Sequence, residues 1–472
     1  MERVDDVLKA KLGDLKIVSQ GFLEKYFSGD SIGYRQIVAI FLPVLVDQAF
    51  VMSLNLINTA MISSSGVAAV SAVSMVDSLN IFLVSVFIAV STGGTVVVAQ
   101  YKGSGNDPMV SKAAAGSVSS VFLLSLAICL FVVAFHGPIL SLLFGRAQAD
   151  VFRNARIYLI GSCTSYCGIA TEEAVCGALR GVGETRSSLA LSIMMNLCYV
   201  LMNLLFINVL HLSVVGLVIS INVARYFGAA CAIFFVTRLD TPLHFHLKDT
   251  LHFNPAMLKK IFFIGLPFAA EQMFFNGGKI LTQTFIVSLG TFAMATNAIC
   301  NSFVCLFQIP ANALSLTLIT VVGQCMGRRD IRDARKLIRS FLWLSSFAFL
   351  AMDLLVLPIF RPLLSMFHPP AQIIGSIMTI ELITGIMQVP LWSIAFVTPA
   401  ALRAAGDSKF TSIVSMLSMW LIRVVLGYIL GIVLHFGIIG VWVAMNCEWG
   451  VRGVIFLHRL HGNRWYRHHL ID

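Results

Sequence analysis

Eight acidic residues stand inside stretches of sequence that are otherwise continuously apolar: Asp47, Asp77, Glu172, Glu173, Glu271, Asp353, Glu381 and Glu448. A charged side chain in hydrocarbon costs about 2.5–3.5 kcal/mol or more, so such residues face partners or a wet cavity. Asp47 and Glu271 are the most informative. Each follows a proline by four residues (Pro43, Pro267) and precedes a glutamine (Gln48, Gln272). Proline removes the donor that would serve the carbonyl four residues back, so the oxygens of Ala39 and Phe263 are expected to be free for an ion or water where the helix bends. A carboxyl at such a bend suits Na⁺ or H⁺. Asp77, beside Ser78 and Asn80, is a third candidate, and Glu172 with Glu173 a fourth; adjacent helical positions point about 100° apart, so one of that pair at most faces a cleft. Glu381 and Asp353 read as hydrated acids near span ends. Arg423 and Glu448 read as a buried ion pair, with Arg452 one turn further on able to share the carboxylate. Lys279 sets the charge of the cleft.

The elements that must carry these residues follow from composition. Of the 472 residues, 58% are apolar and 12% charged, with a mean hydropathy of +0.86. An ordinary soluble domain has about 25% charged residues; this exterior faces lipid. The apolar runs lack the alternation of barrel strands and reach the ~20 residues a spanning helix needs. The expectation is an all-α polytopic membrane protein with twelve transmembrane helices near 36–62, 68–98, 115–136, 157–178, 188–209, 214–236, 262–288, 293–322, 340–360, 376–400, 411–434 and 438–458. Domain boundaries then fall at a cytoplasmic amphipathic segment 1–35, an N-lobe 36–236, a hinge-like cytoplasmic linker 237–261, a C-lobe 262–459 and a cytoplasmic tail 460–472. Most of the 33 Lys and Arg lie in the N-terminal segment, after even-numbered spans and in the tail, while only Arg146, Arg153, Arg156 and Arg361 lie in loops on the other side. Basic residues accumulate on the cytoplasmic side, so both termini are expected there. The same bias explains the net charge of +10 and leaves nothing for a nucleic-acid partner. Arg328, Arg329, Arg332, Arg335, Lys336 and Arg339 have the spacing of a short interfacial helix beneath anionic headgroups. The ten cysteines lack CxxC pairing and read as free thiols, and the linker's His244, His246 and His252 as solvated; no metal centre or cofactor is expected.

The chain repeats itself. 42-LPVLVDQAF aligns with 266-LPFAAEQMF, placing Asp47 on Glu271 at an offset of 224; 96-VVVAQYKG aligns with 320-TVVGQCMG, placing Gln100 on Gln324; 178-ALRGVGETR aligns with 401-ALRAAGDSK, placing Arg180 on Arg403 at 223. Six spans per repeat give each half the same orientation, so the expected architecture is two parallel six-helix pseudo-repeats about an axis along the membrane normal, rocking around a central cleft. No G-x-x-x-x-G-K-[ST] loop is present, since 276-NGGKIL lacks its first Gly and its Ser/Thr, and neither G-x-S-x-G nor H-E-x-x-H occurs. The chain is therefore not read as an enzyme; an ion gradient remains as energy source.

Together the doubled six-span pattern, the 91-STGGTVVVAQYKG stretch and the paired ALRGVGETR and ALRAAGDSK turns resemble the multidrug and toxic compound extrusion (MATE) family. The resemblance implies a monomeric antiporter of the cell (inner) membrane that exports small amphipathic, often cationic compounds against inward Na⁺ or H⁺. Departures matter: where the family carries acids, this chain has Asn58 in 56-LINTAMIS, Asn276 after Phe274 and Phe275, and Trp392-Ser393, so the familiar Na⁺ site does not transfer. Asn58, Asn276, Gln48, Gln272, Trp392 and Met387, with Met273, Phe274 and Phe275, are expected to line the cleft. A lipid-linked oligosaccharide flippase is the alternative; its anionic cargo needs a basic cleft, whereas acids outnumber basic residues within these spans. A receptor or scaffold would need neither the doubled fold nor paired midplane acids.

Overall fold

The computed structural model describes residues 24, 28–29, 32–63, 67–144, 149–239, 242–251, 254–365, 367–468 and 470–471. Most of the 1–35 segment thus lies outside the described residues. Every regular element within them is helical. The long rods are α1 (Tyr34–Ser63), α2 (Val67–Gly103), α3 (Asp107–Ala134), α4 (Ala149–Thr164 and Tyr166–Val182, interrupted at Ser165), α5 (Thr185–Val209), α6 (Ser213–Arg238), α7 (Pro255–Ser288), α8 (Thr291–Gly327), α9 (Ile331–Val356), α10 (Ala371–Ala404), α11 (Ser408–Val433) and α12 (Gly437–His461).

Ten of these are long and apolar enough to cross a membrane. The exceptions have physical causes. Each part of α4 is shorter than the ~20 residues a crossing needs, because the helix breaks at Ser165, and α7 carries Glu271, Gln272, Asn276 and Lys279 in its middle. The basic cluster after α8 is not a separate interfacial helix. Asp330 accepts a hydrogen bond from the Asp333 amide at 3.0 Å, capping α9, which runs unbroken from Ile331; Ala334, Leu337, Ile338 and Phe341 bury one face of its first turns.

Turns recur at the repeat offset. Gly183 and Gly406 take left-handed conformations (φ 93° and 97°) after α4 and α10, and the next amides, Glu184 and Asp407, each bond a carbonyl five residues back at 2.9 Å. Only glycine enters that conformation freely, which is why the repeated turn keeps it. Neither Glu184 nor Asp407 caps the following helix with its side chain. Asp407 instead pairs with Arg459 at 2.7 Å and His468 at 3.3 Å, docking the tail, while Trp465 and Leu470 are buried.

Hydrophobic burial divides in the same way. One core gathers residues of α2–α6 and the start of α7; the other gathers α8–α12, the tail and parts of α7, and takes in Ile32, Ile37 and Val96 from the first half, so α1 packs into the second core. The halves meet where α7 lies along α2 and where α8 packs on α1 and α2. The linker packs on α3: Ser111 and Ser119 donate to the carbonyls of His244 and Thr250, both at 2.8 Å, and Leu243 and Phe245 are buried. His244 and His246 are exposed, as solvated loop residues should be, while Asp240 and His252 lie outside the described residues.

Candidate functional site

Pro43 and Pro267 sit inside α1 and α7. The carbonyls beside each proline are engaged by protein hydroxyls. Thr185, first residue of α5, donates to Ile40 O at 2.9 Å and reaches Ala39 O at 3.4 Å; Ser408, first residue of α11, donates to Ile264 O at 2.8 Å. The Thr/Ser of each repeated turn thus braces the bent helix, and the expected ion ligand at Ala39 is occupied by a side chain.

Below these bends the repeated arginines turn inward toward the acids. In the first half Arg180 bonds the Glu173 carboxylate and approaches the Ser188 hydroxyl at 3.5 Å. Asp47 from α1 lies within electrostatic reach of both Arg180 and Glu173, with Ser192 of α5 in hydrogen-bond reach. Its Oδ1 is buried without a partner. Glu172, 3% exposed, accepts only the weak Cys176 thiol at 3.2 Å and also feels Asp47, Glu173 and Arg180. The fold thus gathers three carboxyls, Asp47, Glu172 and Glu173, around one guanidinium. In the second half the balance is one to one. Arg403 pairs with Glu271 at 3.3 Å, Ser412 adds a bond at 3.1 Å, and both charged residues are buried. Positions 395 and 396, which match Glu172 and Glu173 at offset 223, are Ala and Phe.

The other expected residues are distributed elsewhere. Asp77 joins a polar network with α4, accepting from Tyr158 at 2.7 Å and from Asn80 at 3.3 Å, and Asn80 in turn accepts from Tyr166 and Ser162. Glu448 pairs with Arg452 at 3.3 Å rather than with Arg423, because i,i+4 spacing on α12 already sets them side by side; Ser418 supplies a further bond. Trp392 does not line a cleft: it is 2% exposed, wedged against Phe349 and Phe396. Met387, Met273 and Phe274 are exposed, and Asn276 donates to Ser85 of α2 at 3.4 Å. Gln48 and Gln272 are half-buried, and among the described residues neither bonds a neighbouring helix. The side chain of Asn58 lies outside the described residues.

Glu381 and Asp353 are buried, not hydrated. Gln388 donates to Asp353 at 3.2 Å, while Glu381 Oε1, Gln388 Oε1 and Asn446 Oδ1 are buried acceptors without partners. The signal for this pocket was present in the spacing of Glu381, Thr384 and Gln388, which puts oxygens on one face of α10.

Above the cluster, at the end that carries the repeated turns, the halves are latched. Gln100 Nε2 donates to Ala404 O at 2.8 Å, and its counterpart Gln324 donates to Gly181 O at 3.2 Å. A Cβ at Gly103 would strike Gln324 O and one at Gly327 would strike Gln100 O, so α2 and α8 touch backbone to backbone. Thr320 donates to Arg180 O at 2.9 Å and Lys260 to the Tyr101 hydroxyl at 2.9 Å.

A family model described as MatE matches residues 43–207 and 267–429. An "uncharacterized transporter YisQ" of Bacillus subtilis is 27% identical over 90% of this chain and 93% of its own length. A "probable multidrug resistance protein NorM" of Thermotoga maritima is 23% identical over 91% and 93%. Among solved structures, one described as "MATE in the bent conformation" superposes with a TM-score of 0.83 at 17% identity over 92% of this chain and 96% of that one. Another, an outward-facing multidrug resistance MATE family transporter, gives 0.81 at 15% over 90% and 95%.

Proposed function

This chain belongs to the MatE family, and on that premise we propose a secondary antiporter that exports small amphipathic cations against an inward flow of protons. The observation that carries the reading is the surplus of carboxyls around Arg180. Three carboxyls around one guanidinium give the cluster more acidic than basic groups within the bundle, so a proton and an arriving organic cation compete for the same carboxylate charge. Arg403 already neutralises Glu271 in the second half, so Asp47, Glu172 and Glu173 carry the coupling while Glu271 joins α7 to α10 and α11.

The matched turns, the two cores and the reciprocal glutamine bonds support two like-oriented halves closed at one end. Reading α4 and α7 as further spans, twelve in all, is supported by their packing: α4 is embedded against α2, α3 and α6, and α7 against α2 and α3. Polar residues in such surroundings find protein partners rather than lipid. The distribution of Lys and Arg supports a cell-membrane orientation with both termini cytoplasmic.

In inside-out vesicles, an inward proton gradient should drive uptake of a cationic dye. Asp47→Asn and Glu172→Gln should each lower that uptake at least tenfold while the purified proteins keep the wild-type thermal midpoint. A sodium gradient that drives uptake in place of protons would transfer the coupling to Na⁺. Wild-type rates in both variants would remove the cluster from the mechanism.

A further inference from the structure

A cavity of about 420 Å³ lies between the first turns of α9, the middle of α10 and the end of α12. Two of its lining residues, Pro390 and Ile394, come from the stretch of α10 where proline interrupts the hydrogen-bond ladder and the helix continues as a π turn over Ser393–Val397. One end of the cavity carries Arg335, Arg339 and His461; the remainder is walled chiefly by apolar side chains including Trp343, Pro390 and Ile394, and no carboxylate lines it. From Arg335 down α9 to Ser346, another lining residue, is about 16 Å of helix at ~1.5 Å per residue. The cavity is therefore polar and cationic at the end of the bundle and apolar toward its middle.

The basic groups are not consumed by neighbours. Arg335 is held by Asn463 Oδ1 at 3.0 Å and stands over the Tyr466 ring, contacts that orient the guanidinium without neutralising it. Arg339 is exposed and makes no ion pair or hydrogen bond among the described residues. The nearby carboxylate of Asp407 is already taken by Arg459 and His468. Trp343, 63% exposed, stands at the mouth, a residue type that favours the boundary between headgroups and hydrocarbon.

We infer that this cavity is a binding site for an anionic phospholipid, its phosphate between Arg335 and Arg339 and the upper part of one acyl chain along Trp343, Pro390 and Ile394. A free inorganic anion has no use for the apolar wall, and a zwitterionic lipid adds a cation that the two guanidinium groups repel. Guanidinium groups pair with phosphate through parallel N–H bonds, and basic pockets between helices on the cytoplasmic side are where anionic headgroups are captured. The site rests on the reading of α9, α10 and α12 as membrane-crossing, and is independent of the transport cycle.

The test is retention of lipid by the full-length purified protein in detergent, followed by native mass spectrometry and by thermal midpoint. Phosphatidylglycerol should be retained as one tight adduct and raise the midpoint, phosphatidylcholine of the same chain length should be retained at least tenfold less, and inorganic phosphate should do neither. Arg339→Gln is the clean variant, since that side chain has no structural partner among the described residues, and should lower phosphatidylglycerol retention about tenfold with the lipid-free midpoint unchanged; Trp343→Ala should weaken both lipids. Equal retention of the two lipids, full retention in Arg339→Gln, or stabilisation by phosphate alone would each overturn the proposal. Transport lost in Asp47→Asn with lipid binding intact would bear on the antiport reading alone.

Discussion

Charge balance separates the roles of the acids. Asp47 and Glu271 occupy matching places in the repeat, yet Glu271 has a buried arginine to itself while Asp47 shares Arg180 with Glu172 and Glu173. Removing one partner of a buried pair typically costs about 3–5 kcal/mol because the other charge is left uncompensated. Glu271→Gln should therefore lower the thermal midpoint markedly, where Asp47→Asn should not; equal midpoints would show that Arg403 finds another partner. The glutamine latch belongs to the same scale. Gln100 and Gln324 each serve a buried backbone carbonyl of the opposite half, and leaving such a group unpaired costs about 1–3 kcal/mol. Gln100→Ala and Gln324→Ala should each raise amide hydrogen exchange around 100–106 and 324–330. No change in exchange would mean that the glycine contacts alone hold this end shut.

Bent helices are the working elements, and each is braced by the first residue of a helix four positions later in the chain's order. Thr185 serves α1 and Ser408 serves α7. Thr185→Val keeps the shape and removes the hydroxyl, so it should cost about 1–3 kcal/mol of stability; Thr185→Ser should restore it, because a serine performs the same task in the second half. Thermal unfolding of the three proteins decides the matter, and a Val variant as stable as wild type would reduce the contact to coincidence. α10 also carries a proline: Pro390 interrupts its ladder, and the π turn that follows is tied to α9 by hydroxyls beside the cavity, Ser346 donating to Ser393 at 3.1 Å and Ser393 to Ser345 at 2.9 Å.

At the scale of the whole molecule, residues near both termini gather at one end. Ser28 accepts from Lys336 at 2.6 Å, and Asn463 accepts from Arg335, so the N-terminal approach to α1 and the tail both rest on the start of α9. With the bias in Lys and Arg, reporters fused to either terminus should read cytoplasmic; a signal from the opposite side of the membrane for either would invert the proposed orientation. The sequence alone was enough for the helical, apolar class, because a mostly apolar chain with sparse charges has few ways to fold in hydrocarbon, and its matches at offsets of 223 and 224 are legible without coordinates. It holds a further match: 211-HLSVVGL and 435-HFGIIGV, at offset 224, follow helices that both end in a π turn, with His211 and His435 left-handed. Periodicity is a property of one dimension and survives there. Which partner each buried charge takes is not. Glu271 meets Arg403 and Ser412 across three helices, Glu448 meets Arg452 instead of Arg423, and Trp392 turns into the core rather than toward a cleft. Those choices depend on helix rotation and on bends at Pro43, Pro267 and Pro390, where a few degrees redirect a side chain from one neighbour to another; only the packed tertiary structure decides them.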